Sequence, residues 1–437
     1  MLGAAGVSWL RVWVTGGLQL LPETLGPLGH YGLFLLLGAF LAGAVWVQLQ
    51  ALRAPPPSPV RAAVLIQLAA AVAVPFTSTD LYSNLAYGWL ERAGLDPYRV
   101  GPRVLGERAA LAGTRWLDAP SVYGPFVQAV DWLAAAAHGV PGAMALYKAQ
   151  MLLASLVLVA LAWAYCRRLP EPERSRSFVL VGWSPLLAWE ISAQGHNDGL
   201  LLVCVAGFVL AATAGRTVPA AICVALMLGT KPAGLPLAGL WLWMLLRRSP
   251  WRALKTGALV AGVLVLLYLP IWSGPATLRG QLGVLLGDPT NTSRSFIELA
   301  RWLAAPLGVL VQARVVQVGT MIGRLLLLAT AALALWRVRS LEDVLRWTCI
   351  FILVNGLLAA AAFQPWYVTW LLPLAMAERD ARWQRLYGIY AALTVLQYGL
   401  DLDPPTYLLV NGIPLALFWP LLREELHRPL QARPAAA

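Results

Sequence analysis

VRAAVLIQLAAAVAVPFTSTDLYSNLAYGWLERAGLDPY, residues Val60 to Tyr98, changes character at Phe76. Up to Phe76 the stretch carries one charge, Arg61, and is as long as a short membrane-crossing helix of about 17 to 25 residues. Beyond it come Asp80, Glu91, Arg92 and Asp96, with turn formers at Gly94 and Pro97. A long apolar helix that opens abruptly onto a charged segment is read as a membrane span meeting water.

The same reading extends along the chain. Tyr31 to Leu52, Ala143 to Tyr165, Asn197 to Ala214, Ala253 to Trp272, Gln317 to Trp336 and Leu341 to Ala362 are further apolar runs of spanning length. Of the 437 residues, 59% are hydrophobic and 12% charged, with a mean hydropathy of +0.66. A soluble core cannot hide that much apolar surface. Backbone amides in lipid need partners within the segment, so spans are helices or closed barrels, and these unbroken runs lack barrel alternation. An all-α polytopic membrane protein is predicted. Cys166, Cys204, Cys223 and Cys349 lie in or beside apolar runs without ligand-type spacing and read as packing residues. The net charge of +12 is assigned to topology and anionic headgroups, with membrane lipids rather than nucleic acid as the partner.

The positive-inside rule orients the chain. With Arg53 and Arg61 cytoplasmic, the run from Val60 leaves the cytoplasm and Asp80 emerges on the outer face. Arg167, Arg168, Arg174 and Arg176 return inside only if Val122 to His138 lies flat at the interface, which Asp131 and Trp132 suit. A second outer interfacial helix is predicted over Ser295 to Val311. The N-terminus, with Arg11 between Trp9 and Trp13, reads as an interfacial helix with a snorkelling arginine rather than a removable signal. The total is about 13 spans with a cytoplasmic C-terminus that includes Arg433. Pro55 to Pro59 forms a cytoplasmic turn. The chain then divides into an N-terminal interfacial segment (1–30), one transmembrane domain (31–422) containing a large external loop (78–142), and a tail (423–437).

This orientation gathers the polar motifs at one face. Asp80 caps the short helix marked by Leu81, Leu85 and Trp89, serves as a base whose pKa a low-dielectric wall raises, or does both. Tyr98 in GLDPYRVGP and Tyr123 in SVYGPF either anchor at the interface or contact a polar ligand. QGHNDG sets His196, Asn197 and Asp198 between two spans with Glu190 just inside. These groups line a wet cavity, or Asn197 or Asp198 caps the next helix. Lys231 in GTKPAG either reaches an anionic phosphate or snorkels. Arg324 within a span needs a cavity or acidic partner, and Arg294 in NTSRSF is a loop cation. Gln364, Trp366 and Tyr367 belong to FQPWY, where aromatics form either an interfacial belt or a sugar cradle.

Taken in order, Asp80, Tyr82, Ser83 and Gly88, then Asp96, Pro97, Tyr98, Gly101 and Pro102, then Tyr123, Gly124 and Pro125, resemble the polyprenyl-phosphate-dependent mannosyltransferases of bacteria, the α-1,6-mannosyltransferase-like GT-C class. His196, Asn197, Asp198, Lys231, Pro232 and Gln364 to Tyr367 continue the pattern. The resemblance spans Thr77 to about Leu371. It implies a GT-C-like transmembrane domain whose first external loop presents Asp80 as general base. It further implies an inverting glycosyltransferase of the plasma membrane, with its site on the periplasmic or extracellular side. The implied donor is a polyprenyl-phosphate hexose, with mannose expected, and the acceptor a lipid- or glycan-linked hydroxyl. Tyr82, Tyr98, Tyr123, His196, Asn197, Asp198, Lys231, Arg294, Arg324, Gln364, Trp366 and Tyr367 become the substrate-binding candidates. Where many relatives carry two adjacent acids this chain has Thr79-Asp80, and Ser184 precedes Pro185 where an asparagine is common. No cofactor or metal is expected. The competing reading, a transporter or flippase, predicts internal repeats and midplane charges, and neither is visible.

Overall fold

The structure, a computed structural model, describes residues 1–15, 27–54, 56–106, 113–286, 292–400, 406 and 408–429. Residues 16–26, Pro55 and the end of the tail with Arg433 lie outside the described residues. The architecture is helical, and among the described residues the only extended pairing is an isolated bridge between Ser293 and Ala362. The chain opens with α1 (Leu2–Thr15), α2 (Pro27–Arg53) and α3 (Pro59–Ala71). Then come α4 (Asp80–Arg92), α5 (Pro125–Ala134), α6 (Gly139–Cys166) and α7 (Glu173–Gly182). A π-helical segment, Ala188–Ala193, precedes α8 (Asp198–Thr213), α9 (Thr217–Leu228), α10 (Leu235–Arg248) and α11 (Pro250–Tyr268). The remainder comprises α12 (Ala276–Leu286), α13 (Phe296–Leu303), α14 (Val309–Arg337), α15 (Leu341–Val354), α16 (Leu371–Ala375), α17 (Ala381–Leu400) and α18 (Ile413–His427).

Among the described residues four helices are long and apolar enough to cross a membrane: Gly32–Arg53, Gly139–Cys166, Pro250–Ile271 and Val309–Arg337. Pro59–Ala71, Asp198–Thr213 and Thr217–Leu228 are apolar but shorter. The described helices of spanning length are thus fewer than the about 13 crossings expected from the sequence. Composition finds apolar runs, but Pro, Gly and π-turns break several of them into shorter pieces. Leu341 to Ala362, one such run, is α-helical to Val354 and π-helical over Asn355–Ala359. The expected interfacial helix over Ser295 to Val311 is likewise divided. Its first part is α13, capped by the Ser295 hydroxyl, and α14 has already begun at Val309.

The core lies around α8, whose residues are mostly buried and which α6 and α9 flank. Leu254, Val265 and Leu266 on α11, and Leu310, Leu325 and Leu328 on α14, are exposed large aliphatics, the surface a hydrocarbon solvent leaves uncovered. Cys166, Cys204 and Cys349 are buried and Cys223 half-buried, and all four are free thiols.

Two elements depart from the interfacial reading. On α1, Arg11 is only 3% exposed and lies over the Phe76 ring, 5.5 Å from its centroid, while Trp9 faces outward. The Trp9 indole donates to the Val72 carbonyl at 2.8 Å, and the Ser8 hydroxyl accepts from the Val74 amide at 2.9 Å. The helix thus braces the segment leading to Asp80 through Trp9 and Ser8, and the inward arginine finds a ring face there in place of headgroups. The second case is α5. Asp131 on it is fully buried, since α5 packs flat on α4 so closely that a Cβ on Gly88 would come within 2.2 Å of the Asp131 carbonyl oxygen.

Candidate active site

The chain leaves α3 at Ala71 and re-enters a helix at Asp80. Asp80 does not cap α4. Thr79 occupies the cap position without a side-chain cap bond, and Asp80 is the first helical residue, its amide accepted by the Ser78 hydroxyl at 3.2 Å. Its carboxylate is left for other work at a helix N-terminus, where negative charge is favoured. Two side chains hold this segment in place. The Gln194 carboxamide oxygen accepts from the Phe76 and Thr77 amides at 2.8 and 2.9 Å. The Lys148 ammonium on α6 donates to the carbonyls of Ala73 and, at 2.8 Å, Ala193.

The turn after the π-helical segment supplies the facing groups. Widening of the backbone there puts Glu190 inward and lets the His196 amide bond the Glu190 carbonyl at 3.0 Å. Gly195 makes the turn possible: its φ is +76°, and a Cβ would meet Leu81 Cδ1 at 2.7 Å. His196 is then fixed on three sides. Nδ1 is 3.6 Å from Asp80 Oδ2, Nε2 is 3.3 Å from Glu190 Oε2, and the ring stacks on Trp366 at 4.0 Å between centroids. Glu190 is fully buried, and its Oε1 accepts from the Tyr398 hydroxyl at 2.7 Å.

A second constellation adjoins the first. Asp198, fully buried in the first turn of α8, accepts from Lys231 Nζ through Oδ2 and from Trp370 Nε1 through Oδ1, both at 2.6 Å. Lys231 therefore does not snorkel, since a buried carboxylate holds it more firmly than distant headgroups. It also lies 5.2 Å from the Tyr123 ring centroid. The SVYGPF and GTKP turns are stitched together by amide bonds from Gly124 to the Thr230 carbonyl and from Phe126 to the Gly229 carbonyl, each 2.9 Å. A Cβ on Gly124 would sit 2.2 Å from the Gly229 oxygen, so only glycine allows this contact.

The other candidates divide. Tyr367 packs against Trp366 and Trp370, at 5.9 and 4.7 Å between centroids. Tyr98 is buried, its hydroxyl donating to the Tyr123 carbonyl at 3.1 Å, so it supports the loop rather than opening onto it. Tyr82 is buried too, with its hydroxyl 3.4 Å from the Pro75 carbonyl. Asn197 donates to Asn84, at 3.3 Å, which in turn donates to the Tyr147 hydroxyl at 2.8 Å. Gln364 reaches the Ser293 hydroxyl at 3.4 Å, joining the FQPWY and NTSRSF segments. Arg294 is half-buried, adopts a φ of +50°, and acts electrostatically on Glu190 and Tyr398. Arg324 is exposed on α14 beside Met321, Ile322 and Leu325.

Electrostatics corrects one expectation. Burial pushes the Asp80 carboxyl up, but the neighbouring His196 and Lys231 and the Tyr123 hydroxyl together outweigh it, and the net direction is down. For His196, burial pushes down while Asp80, Glu190 and Asp198 push up, and the net direction is up. Asp80 is thus held as carboxylate, ready to accept a proton without needing a raised affinity for it. Among the described residues no group of three or more His, Cys, Asp or Glu side chains is arranged to hold a metal.

Reading the sequence did not single out Gln194, Lys148, Asn84, Tyr147 or Tyr398 as parts of this assembly. Glu190 carried a signal, an acid inside an apolar run. Tyr398 lies some two hundred residues from its partner and carried none.

Comparison with known proteins gives concordant matches. Residues 1–247 match the family described as "Alpha-(1->6)-mannopyranosyltransferase, N-terminal domain". The chain is similar to Alpha-(1->6)-mannopyranosyltransferase A of Mycobacterium tuberculosis, 26% identical over 357 residues, covering 76% of this chain and 67% of the relative. A second alpha-(1->6)-mannopyranosyltransferase of the same organism is 32% identical over 140 residues, covering 30% of this chain and 23% of that protein.

Proposed function

Because the chain belongs to the alpha-(1->6)-mannopyranosyltransferase family, we propose that it transfers a mannosyl group from a polyprenyl phosphate to a lipid- or glycan-linked hydroxyl. The reaction proceeds with inversion at the outer face of the membrane. The acceptor oxygen attacks the anomeric carbon, its proton passes to Asp80, and the bond to phosphate oxygen breaks with the pair leaving on the lipid phosphate. The observation that carries this reading is the Asp80 carboxylate. It is 17% exposed at a helix N-terminus, beside His196, on which Trp366 stacks, and near Lys231. A carboxylate so placed can receive a proton from a bound hydroxyl, and such general-base catalysis contributes about 10²- to 10⁴-fold.

The leaving phosphate gains negative charge as the bond breaks. Lys231 and Arg294 supply the compensating cations, and Tyr123, Trp366 and Tyr367 give the sugar ring apolar faces. No metal takes part in this scheme. Membranes containing the protein, given radiolabelled polyprenyl-phosphate mannose and lipid-linked acceptors, test it. Asp80→Asn lowers transfer by about 10²- to 10⁴-fold with expression and donor binding retained, and chelator leaves the wild-type rate unchanged. Normal transfer by Asp80→Asn removes the base assignment.

A further inference from the structure

Both ring nitrogens of His196 face carboxylate oxygens: Nδ1 that of Asp80 at 3.6 Å, and Nε2 that of Glu190 at 3.3 Å. A neutral imidazole has one N–H and one lone pair, so one of the two carboxylates would confront a lone pair. With both acids ionised, only the imidazolium has a donor for each. These are ion-pair separations rather than linear hydrogen bonds, which is the regime in which charge, more than alignment, sets the energy.

The surroundings are built to keep the arrangement. Glu190 is wholly buried, and its second oxygen is committed to the Tyr398 hydroxyl, so the carboxylate cannot swing away without losing that bond. Trp366 covers the imidazole face, and the Tyr398 ring is tilted against Trp189 beside Glu190. The charged and titratable groups around the ring come from every neighbouring element. Asp80 faces it from α4 and Asp198 from α8, with Lys231 neutralising Asp198. Arg294 acts on Glu190 from the NTSRSF segment, and Tyr123 on Asp80 from the SVYGPF turn. Tyr147 on α6 and Tyr367 lie within the fields of Asp80 and Asp198. The positive charges of Lys231 and Arg294 oppose protonation of His196, and the three acids favour it.

We propose that Glu190, anchored by Tyr398, is a positioning residue that holds His196 as an imidazolium between two carboxylates, so that Asp80 is presented to the acceptor ionised and in one orientation. The role ascribed to Asp80 rests on the function proposed above, whereas the protonation state of His196 does not. Glu190 touches neither donor nor acceptor and acts through the histidine.

Histidine-selective 15N labelling of the detergent-solubilised full chain tests this. The sequence has four histidines, and His196→Gln assigns the resonance. In wild type at pH 7.5, both His196 nitrogens resonate as protonated. In Glu190→Gln, which keeps an oxygen for the Tyr398 hydroxyl, the midpoint of His196 moves down the pH scale by about 1–3. Glu190→Asp restores the imidazolium at pH 7.5, and Tyr398→Phe shifts the midpoint in the same direction as Glu190→Gln by less. Transfer falls in Glu190→Gln and recovers in Glu190→Asp. A neutral His196 in wild type, or a titration unchanged in Glu190→Gln, overturns the inference. If the titrations behave as expected but Asp80→Asn still transfers mannose, the function proposed above fails and this arrangement stands.

Discussion

At the scale of single residues, the site depends on charges that have been taken out of water and paired. Asp198 and Lys231 show it most plainly, one fully buried and the other 12% exposed. Breaking such a pair leaves an uncompensated charge and costs about 3–5 kcal/mol, more than the pair itself contributes. Lys231→Met is therefore expected to destabilise the protein by that order, measured by thermal unfolding in detergent. Asp198→Leu combined with Lys231→Met recovers part of the loss, because the orphaned carboxylate is gone as well. A double-mutant cycle over the two positions yields the coupling, and additivity of the single losses would show the contact to be unimportant. Trp370 remains as an internal reference, since it bonds the other Asp198 oxygen and loses its acceptor only when Asp198 is replaced.

At the scale of elements, helices approach where glycine lets them. Gly88 on α4 faces the backbone of α5, and an added Cβ would lie 2.2 Å from the Asp131 carbonyl oxygen. Backbone cannot rotate aside as a side chain does, so Gly88→Ala must push the helices apart. The expected cost is about 1–3 kcal/mol, together with lowered transfer, because α4 carries Asp80 at its other end. Gly239 on α10 is the control. Nothing lies within 4 Å of its added Cβ, and Gly239→Ala is expected to be neutral or stabilising by about 0.5–1 kcal/mol through helix propensity. Comparable thermal shifts for the two variants would contradict the packing account. Asp131 behaves as a closely packed site requires: burial, then the charge of Glu91, pushes its carboxyl well above the usual range, which favours the neutral form between α4 and α5.

For the molecule as a whole, the polar constellation collects at one end of the helices, while Arg346 with Glu378 and Glu425 knits α15, the turn after α16 and α18 at another. The proposed function places the first end at the outer face, in keeping with the distribution of Lys and Arg. In a variant with Cys166, Cys204, Cys223 and Cys349 replaced, a membrane-impermeant maleimide should label Leu95→Cys in intact cells. Arg252→Cys should be labelled only after permeabilisation. The reverse pattern would invert the orientation and with it the proposed side of reaction. Both positions are exposed, so a failure to label reports sidedness and not burial.

The sequence alone determined that this is a helical membrane chain, because apolar content and run length are local quantities that no packing arrangement can alter. It also marked Asp80, His196 and Lys231, since polar groups within apolar surroundings stand out one by one. Tertiary structure decided how they meet. That Asp80 leaves the cap to Thr79, that Lys231 pairs with Asp198, and that Tyr398 stands behind Glu190 are contacts between segments far apart in the chain. So is the inward turn of Arg11, which a lone helix at an interface would have pointed to the headgroups. The energy of each such contact belongs to a pair, and only the folded chain brings the pair together.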